Sequence, residues 1–161
     1  MDQNDEIEFH RKTAKCCFNE AWDYLDKKNR DSNDEQQMLH LAHASRYHWA
    51  FVESDQTKLA KQLAPGDWQI SRIYATLHEP QLALHFAKSA LRIMQENSLF
   101  EILHSGYEGM ARAFAIGKDS ESASEYIKKA REQLSRAVGL DNEDRAIYLE
   151  QIRETELLMN R

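Results

Sequence analysis

A stretch of sequence that occurs twice, 40 residues apart, constrains the fold more than any other feature. The first copy contains Arg72-Ile-Tyr-Ala-Thr-Leu followed by Ala83, Phe86-Ala87 and Ala90, and the second contains Arg112-Ala-Phe-Ala-Ile-Gly followed by Ala123, Tyr126-Ile127 and Ala130. Residues three or four apart share one face of a helix, so each copy predicts two amphipathic helices joined by a short turn. One such hairpin cannot bury its apolar face alone, and the repeat therefore predicts hairpins that stack on one another.

The composition agrees with an all-α fold. Only 5 Gly and 2 Pro occur among 161 residues, which is too little turn punctuation for a β-sandwich or an α/β sheet. A hydrophobic fraction of 42% with 30% charged residues is typical of amphipathic helices and argues against disorder. We expect one domain, residues 1–161, with about seven helices arranged as antiparallel hairpins.

The element boundaries follow from breaks in the apolar pattern. We expect a first hairpin at 5–53, a second at 66–97, a third at 98–138 and a capping helix at 142–160. Residues 54–65 are the least regular part, and the third helix is expected to open at Pro65-Gly66. The acidic last helix, with Glu150, Glu154 and Glu156, is expected to be the solvated cap that ends a stack of hairpins.

Several residues have the chemistry and spacing of helix caps. Ser32 and Glu35 form a candidate capping box, and Pro80 suits the first turn of a helix because its missing N–H is unpaired there in any case. The remaining candidates are Asp119 and Asp141 as N-caps and Gly117 as a left-handed C-cap.

The repeated residues resemble those of the tetratricopeptide repeat superfamily. Its aromatic position holds Tyr74 or Phe114, and its two small-residue positions hold the alanines at 83 and 90, or at 123 and 130. The resemblance implies a short right-handed solenoid whose concave groove binds a protein or peptide. The chain differs from the family in two respects: its repeat period is 40 residues, where the family has about 34, and it lacks the closing proline. The whole chain is also similar to small bacterial tetratricopeptide-like proteins of unassigned activity, which implies a bacterial cytoplasmic protein.

Charge and hydropathy limit the classes of partner that this chain is expected to bind. A net charge of −6 disfavours nucleic acid, because that affinity comes from Lys and Arg on phosphates. No apolar run approaches the roughly 18 residues that cross a bilayer, and the N-terminus is acidic where a signal peptide is basic, so we expect a cytoplasmic protein without membrane contact. The adjacent Cys16 and Cys17 point about 100° apart on a helix and are expected to be reduced thiols.

The candidate binding residues lie on the first helices of the repeated hairpins. Trp68 and Arg72 are one turn apart, and Glu108 and Arg112 hold the equivalent places 40 residues later. Arginine beside an aromatic ring suits a carboxylate, so the groove is expected to take a protein, a peptide or a small anionic ligand without a cofactor. The second helix is expected to add His43, Tyr47 and His48. A buried ion-pair network between the same charged residues is an equally weighted alternative.

Two enzymatic alternatives remain open beside this non-catalytic binding module. His40 and His43, with Glu101 and His104 on another helix, have the three-residue spacing of a metal site in a helix bundle, as in a metal-dependent hydrolase. Arg72 and His78 resemble the Arg-(x4–6)-His signature of small helical ribonucleases known as HEPN domains.

A third alternative is structural. Three hairpins are few for a solenoid, so the alternative to a binding module is a homodimer in which each copy covers the exposed apolar ends of the other. The aromatic residues with core-like spacing are interpreted as packing residues; they are Trp22, Trp49, Phe51, Tyr74 and Phe86.

Overall fold

The computed structural model describes residues 2–160, which form seven helices and no strand. The helices are α1 (Gln3–Asp26), α2 (Ser32–Trp49), α3 (Gln56–Thr76), α4 (Pro80–Glu96), α5 (Leu103–Ile116), α6 (Ser120–Arg136) and α7 (Asn142–Leu158). Helices α1 and α2, α3 and α4, and α5 and α6 pair as hairpins, each hairpin packs on the next, and α7 packs on α5 and α6. The predicted all-α fold of stacked helical hairpins is confirmed.

The two copies of the repeat build the same contact. The rings of Tyr74 and Phe86 stack with centroids 5.7 Å apart, and those of Phe114 and Tyr126 stack at 5.6 Å. The small residues that let the paired helices approach are fully buried; they are Ala83, Ala87, Ala90, Ala123 and Ala130. The 40-residue repeat is therefore a repeat of packing as well as of sequence.

Helix α3 begins at Gln56, ten residues before the predicted start at 66, and Pro65 lies inside it. Asp55 caps this helix by accepting a hydrogen bond from the backbone N–H of Lys58. Proline removes one backbone hydrogen bond from a helix without necessarily ending it. The following Gly66 lets α2 approach, since a Cβ there would lie 3.0 Å from Cδ of Arg46. The Pro-Gly pair thus marks a close helix contact instead of a helix start.

The predicted caps are correct at Pro80, Asp119 and Asp141, and Gly117 is the C-cap of α5 but not in the left-handed conformation; the capping box of α2 was predicted one residue too late. The capping box of α2 consists of Asp31 and Asp34, one residue before Ser32 and Glu35, because aspartate caps as well as serine does. Gly117 has φ −76°, and the left-handed residue is Lys118, with φ 64°. Lys118 and His78, which are 40 residues apart, close α5 and α3 with the same turn.

None of the helices formed by residues 2–160 is both long enough and apolar enough to cross a membrane.

Candidate ligand-binding cavity

Four of the seven predicted groove residues, Trp68, Arg72, Glu108 and Arg112, meet on the inner face, meaning the surface formed by the first helix of each hairpin and α7. Glu108 is the centre of a buried polar network and only 3% exposed. Its Oε2 accepts a hydrogen bond from Nε1 of Trp68 at 3.1 Å, and its Oε1 accepts one from Nε of Arg112 at 2.8 Å. The hydroxyl of Thr155, which is fully buried, donates to the same Oε1 at 2.7 Å. One carboxylate therefore ties α3, α5 and α7 together.

The two arginines of the network are balanced by two glutamates. Nη2 of Arg72 donates to Glu154 at 2.7 Å, and its Nη1 lies 3.8 Å from Glu108, too far for a hydrogen bond. Arg112 pairs with Glu108 and also lies 3.4 Å from Glu154. The guanidinium of Arg72 is 5.6 Å from the ring centroid of Trp22. The expected pairing of Arg72 with Glu108 is thus present, and it belongs to a network with no surplus positive charge.

The pKa values in this network reflect a competition between burial and charge. Burial by itself raises the pKa of Glu108, but Arg112 and Arg72 outweigh it and hold that pKa below its ordinary value. Burial, with help from Arg112, lowers the pKa of Arg72, while Glu108 and Glu154 oppose the shift. The sequence left open whether these residues form a ligand site or a buried ion-pair network. The geometry favours the ion-pair network, because each charged group lies close to a group of opposite charge.

Helix α7 contributes Glu154 and Thr155 to this network, so the acidic helix that was expected to be a solvated cap also forms ion pairs with the helices it covers. Glu154 bridges the two arginines, and Glu156 pairs with Arg131 on α6 at 2.8 Å. Ile152 and Thr155 of the same helix are buried. Only Glu150, of the three glutamates predicted to be solvated, has no ion pair within residues 2–160. The ion pair between Glu154 of α7 and Arg72 of α3 joins residues 82 apart in the chain, which local sequence spacing does not reveal.

Beside the network lies a cavity of about 300 Å³ with a largely apolar wall. Five helices or their flanking turns contribute to it, and its lining residues are Phe18, Trp22, Pro65, Trp68, Met94, Ile102, Ser105, Ile147, Tyr148 and Gln151. The rings of Trp22 and Trp68 have centroids 5.6 Å apart. Four aromatic side chains and few polar atoms make this a place for an apolar group.

A second hollow, of about 420 Å³, adjoins this cavity and shares Trp22, Ile147 and Gln151 with it. Its other lining residues are Asp26, Arg72, Glu150 and Glu154. The apolar cavity therefore lies beside a charged hollow, called the mouth below, which is lined by residues of α1, α3 and α7.

The histidines and tyrosine predicted on α2 lie elsewhere. His43 bonds to the hydroxyl of Tyr74 at 3.2 Å and packs against Phe86. Tyr47 and His48 contact each other and Phe51 or His10 at the end of the first hairpin. The structure thus brings together Trp68, Arg72, Glu108 and Arg112, but it does not bring the three α2 residues to them. Helix α2 presents these side chains away from the inner face.

The residues of the two enzymatic alternatives are also separated. His43 packs on α3 and α4, whereas His104 is buried with its ring 4.3 Å from that of Tyr148 on α7. Within residues 2–160, no group of three or more His, Cys, Asp or Glu side chains has the arrangement of a metal site. His78 is exposed in the turn after α3, and Arg72 faces Glu154 instead.

Sequence reasoning missed part of the cavity wall. Trp22 was interpreted as a core residue, and Phe18 and Ile147 were not singled out. A signal existed on α7, where Ile147, Gln151 and Glu154 have the spacing of one helix face. The spacing does not show that this face lies across a cavity from Phe18 and Trp22 of α1, because the two helices are far apart in the chain. No protein-family model, curated protein or solved structure matches the chain.

Proposed function

We propose that this protein is a non-catalytic binding module of tetratricopeptide-like architecture, and that its inner-face cavity takes a bulky apolar side chain from a partner peptide. The cavity is the observation on which the proposal rests: it has about 300 Å³ and an aromatic wall. That volume is at the lower end of the roughly 300–1,000 Å³ of ligand pockets, and it leaves room for one bulky side chain. A bacterial source and a cytoplasmic location belong to the same proposal and rest on the sequence resemblance.

The polar network supports binding by fixing the wall of the cavity. Glu108, Arg112 and Thr155 hold α5 and α7 together beside it. A rigid wall lowers the entropic cost of binding, because less of the protein must be ordered when the ligand arrives. The arginines predicted to orient a ligand then act mainly by holding the helices, and Trp68 contributes both its ring to the wall and its N–H to the network.

A peptide-display selection tests this function. Random 12-residue peptides would be selected on the wild-type protein and then measured by calorimetry on two variants. Ser105→Leu places a larger side chain in the cavity, and Ser135→Leu makes the same exchange at an exposed serine on α6. We expect selected peptides to bind wild type and Ser135→Leu but to lose at least tenfold in affinity on Ser105→Leu, provided that its circular dichroism is unchanged.

Two outcomes would overturn the proposal. One is the recovery of no peptide, and the other is a set of peptides that bind Ser105→Leu as well as wild type. If Ser105→Leu does not fold, Ile147→Gln provides the same test, because Ile147 lines the cavity, its side chain is half exposed and the exchange adds no charge.

A second candidate function, self-association, is favoured by an aromatic patch at the end of the first hairpin. Phe9, Tyr47 and Phe51 are 52%, 62% and 47% exposed, and they surround the His10–His48 pair. Exposed apolar clusters of this kind often mark protein–protein contacts. The patch lies on α1 and the end of α2, away from the cavity, so self-association and peptide binding are compatible.

A further inference from the structure

The mouth of the cavity has more negative than positive charge. Three carboxylates, those of Asp26, Glu150 and Glu154, line it with a single cation, Arg72. The charge of Arg72 is matched, since its Nη2 pairs with Glu154 and its Nη1, which has no hydrogen-bond partner within residues 2–160, lies 3.8 Å from Glu108. Arg112, the next cation inward, shares the same two glutamates. Two arginines and two glutamates cancel, which leaves the charges of Asp26 and Glu150 at the mouth.

Two cations that follow Asp26 in the chain are engaged elsewhere, and Arg153, three residues after Glu150, lines neither hollow. Lys27, which follows Asp26, forms its ion pair with Asp34 of α2. Arg30 donates to the backbone carbonyls of Tyr24, Leu25 and Lys27. Neither Asp26 nor Glu150 forms an ion pair with another residue of 2–160, and both are exposed.

An aromatic ring stands between these carboxylates and the apolar cavity. Trp22 lines both hollows, so a group that passes from one to the other runs along its ring. The face of a tryptophan attracts cations, and it already does so with Arg72 at 5.6 Å. Carboxylates beside an indole face suit an ammonium or guanidinium group, whereas an anion here would meet two unmatched negative charges.

We propose that the partner is a basic peptide segment, in which a large apolar side chain enters the cavity while a neighbouring Lys or Arg pairs with Asp26 and Glu150. This inference rests on the proposed function, because it assumes that a peptide occupies the cavity. It replaces the small anionic ligand expected from Arg72 and Arg112, whose charges the network already balances. Apolar contact supplies the affinity, and the acidic mouth selects the sequence and speeds association.

The peptide-display selection tests the charge as well as the cavity. We expect peptides that depend on the cavity to be enriched in Lys or Arg within about four residues of a large apolar residue, and depleted in Asp and Glu. Cavity-dependent peptides that are neutral or acidic would overturn this inference and leave the proposed function standing. Recovery of no cavity-dependent peptide would overturn both. In that case, quenching of tryptophan fluorescence by phenethylamine would point to a small amine as the ligand.

Two matched double variants test the assignment of residues. Asp26→Asn/Glu150→Gln removes both charges of the mouth, and Asp23→Asn/Glu143→Gln removes the same number from the same two helices at exposed positions that line neither hollow. We expect the first double variant to bind a selected basic peptide roughly three- to tenfold more weakly than wild type at low salt, and the second less than about twofold more weakly. Equal effects of the two variants would assign the preference to overall charge and overturn the site.

Discussion

Trp68 and Glu108 occupy equivalent positions in consecutive hairpins, 40 residues apart, and the indole N–H of one donates to the carboxylate of the other at 3.1 Å. A hydrogen bond therefore joins the two copies of the repeat, and it can form because the same repeat position holds different residue types in the two copies. Arg72 and Arg112 are a second such pair of equivalents, and both face Glu108. The single buried carboxylate of Glu108 lies near both arginines. Two copies with tryptophan at this position would have no carboxylate there to balance the arginines.

Replacing Glu108 with Gln is expected to destabilise the protein by about 3–5 kcal/mol, because the change removes one partner of a buried charge pair. Glu108 is 3% exposed and accepts from Trp68, Arg112 and Thr155. The amide keeps the shape but brings an N–H to groups that are themselves donors. The measurement is the free energy of unfolding in urea at pH 7.5 for wild type and variant.

The control is Glu150→Gln, which removes an exposed glutamate without an ion pair within residues 2–160 and is expected to change stability by less than about 0.5 kcal/mol. A loss below about 1 kcal/mol for Glu108→Gln would contradict the central place given to this carboxylate.

The repeated hairpins could be read from the sequence because their determinants are local. Residues such as Ala83 and Phe86 lie within a few positions of each other, and their spacing alone defines a helix face. The cap residues Asp119 and Asp141 were predictable for the same reason, because a cap acts on the next three residues. The stack follows from these local units, since each hairpin leaves an apolar face to cover.

The cavity and its mouth were not predictable, because they depend on contacts between distant helices. Glu154 of α7 pairs with Arg72 of α3 across 82 residues, a separation over which the spacing of residues on one helix predicts nothing. The start of α3 was predicted wrongly for a different reason. Proline and glycine usually mark helix ends, whereas here Pro65 lies inside a continuous helix and Gly66 leaves room for Arg46 of α2.

His104 is expected to make the protein less stable below neutral pH. It is 1% exposed, and burial lowers its pKa from 6.5 to about 4. Between these values the unfolded chain binds a proton that the folded protein does not, so stability falls as the pH falls. Integrated from pH 7.5 to pH 5.0, the loss is about 2 kcal/mol.

His104→Phe tests this prediction, since phenylalanine keeps the ring against Tyr148 and cannot titrate. Urea unfolding at pH 7.5 and pH 5.0 is the measurement. The variant should lose about 2 kcal/mol less than wild type between the two pH values. Burial also lowers the pKa of His43 and His48, so wild type and variant share that part of the pH dependence. Equal pH dependence in both proteins would show that His104 does not titrate as expected.

Ala83→Leu is expected to cost about 1–3 kcal/mol of stability, because it adds atoms where two helices cross without a gap. Ala83 is fully buried with Ala75 and Ala113, and its backbone carbonyl accepts a hydrogen bond from Ser71 at 2.8 Å. Gln81→Leu introduces the same side chain at an exposed position of α4 and serves as the control. The measurement is the midpoint of thermal or urea unfolding for each variant. Equal midpoints for Ala83→Leu and Gln81→Leu would argue against close packing at this crossing.

The aromatic patch of Phe9, Tyr47 and Phe51 is expected to support reversible self-association at high concentration. Three exposed aromatic side chains on the end of one hairpin lose contact with water when they meet a second copy, and this burial is favourable. Light scattering across a concentration series is expected to give a mass that rises above the 18.8 kDa of one chain. Tyr47→Ser/Phe51→Ser should return that mass to the monomer, whereas Leu157→Ser, which alters an exposed apolar residue on α7, should not. A constant monomer mass for the wild type up to about 1 mM would exclude the patch as an interface between copies, since that limit corresponds to a dimerisation free energy weaker than about −4 kcal/mol.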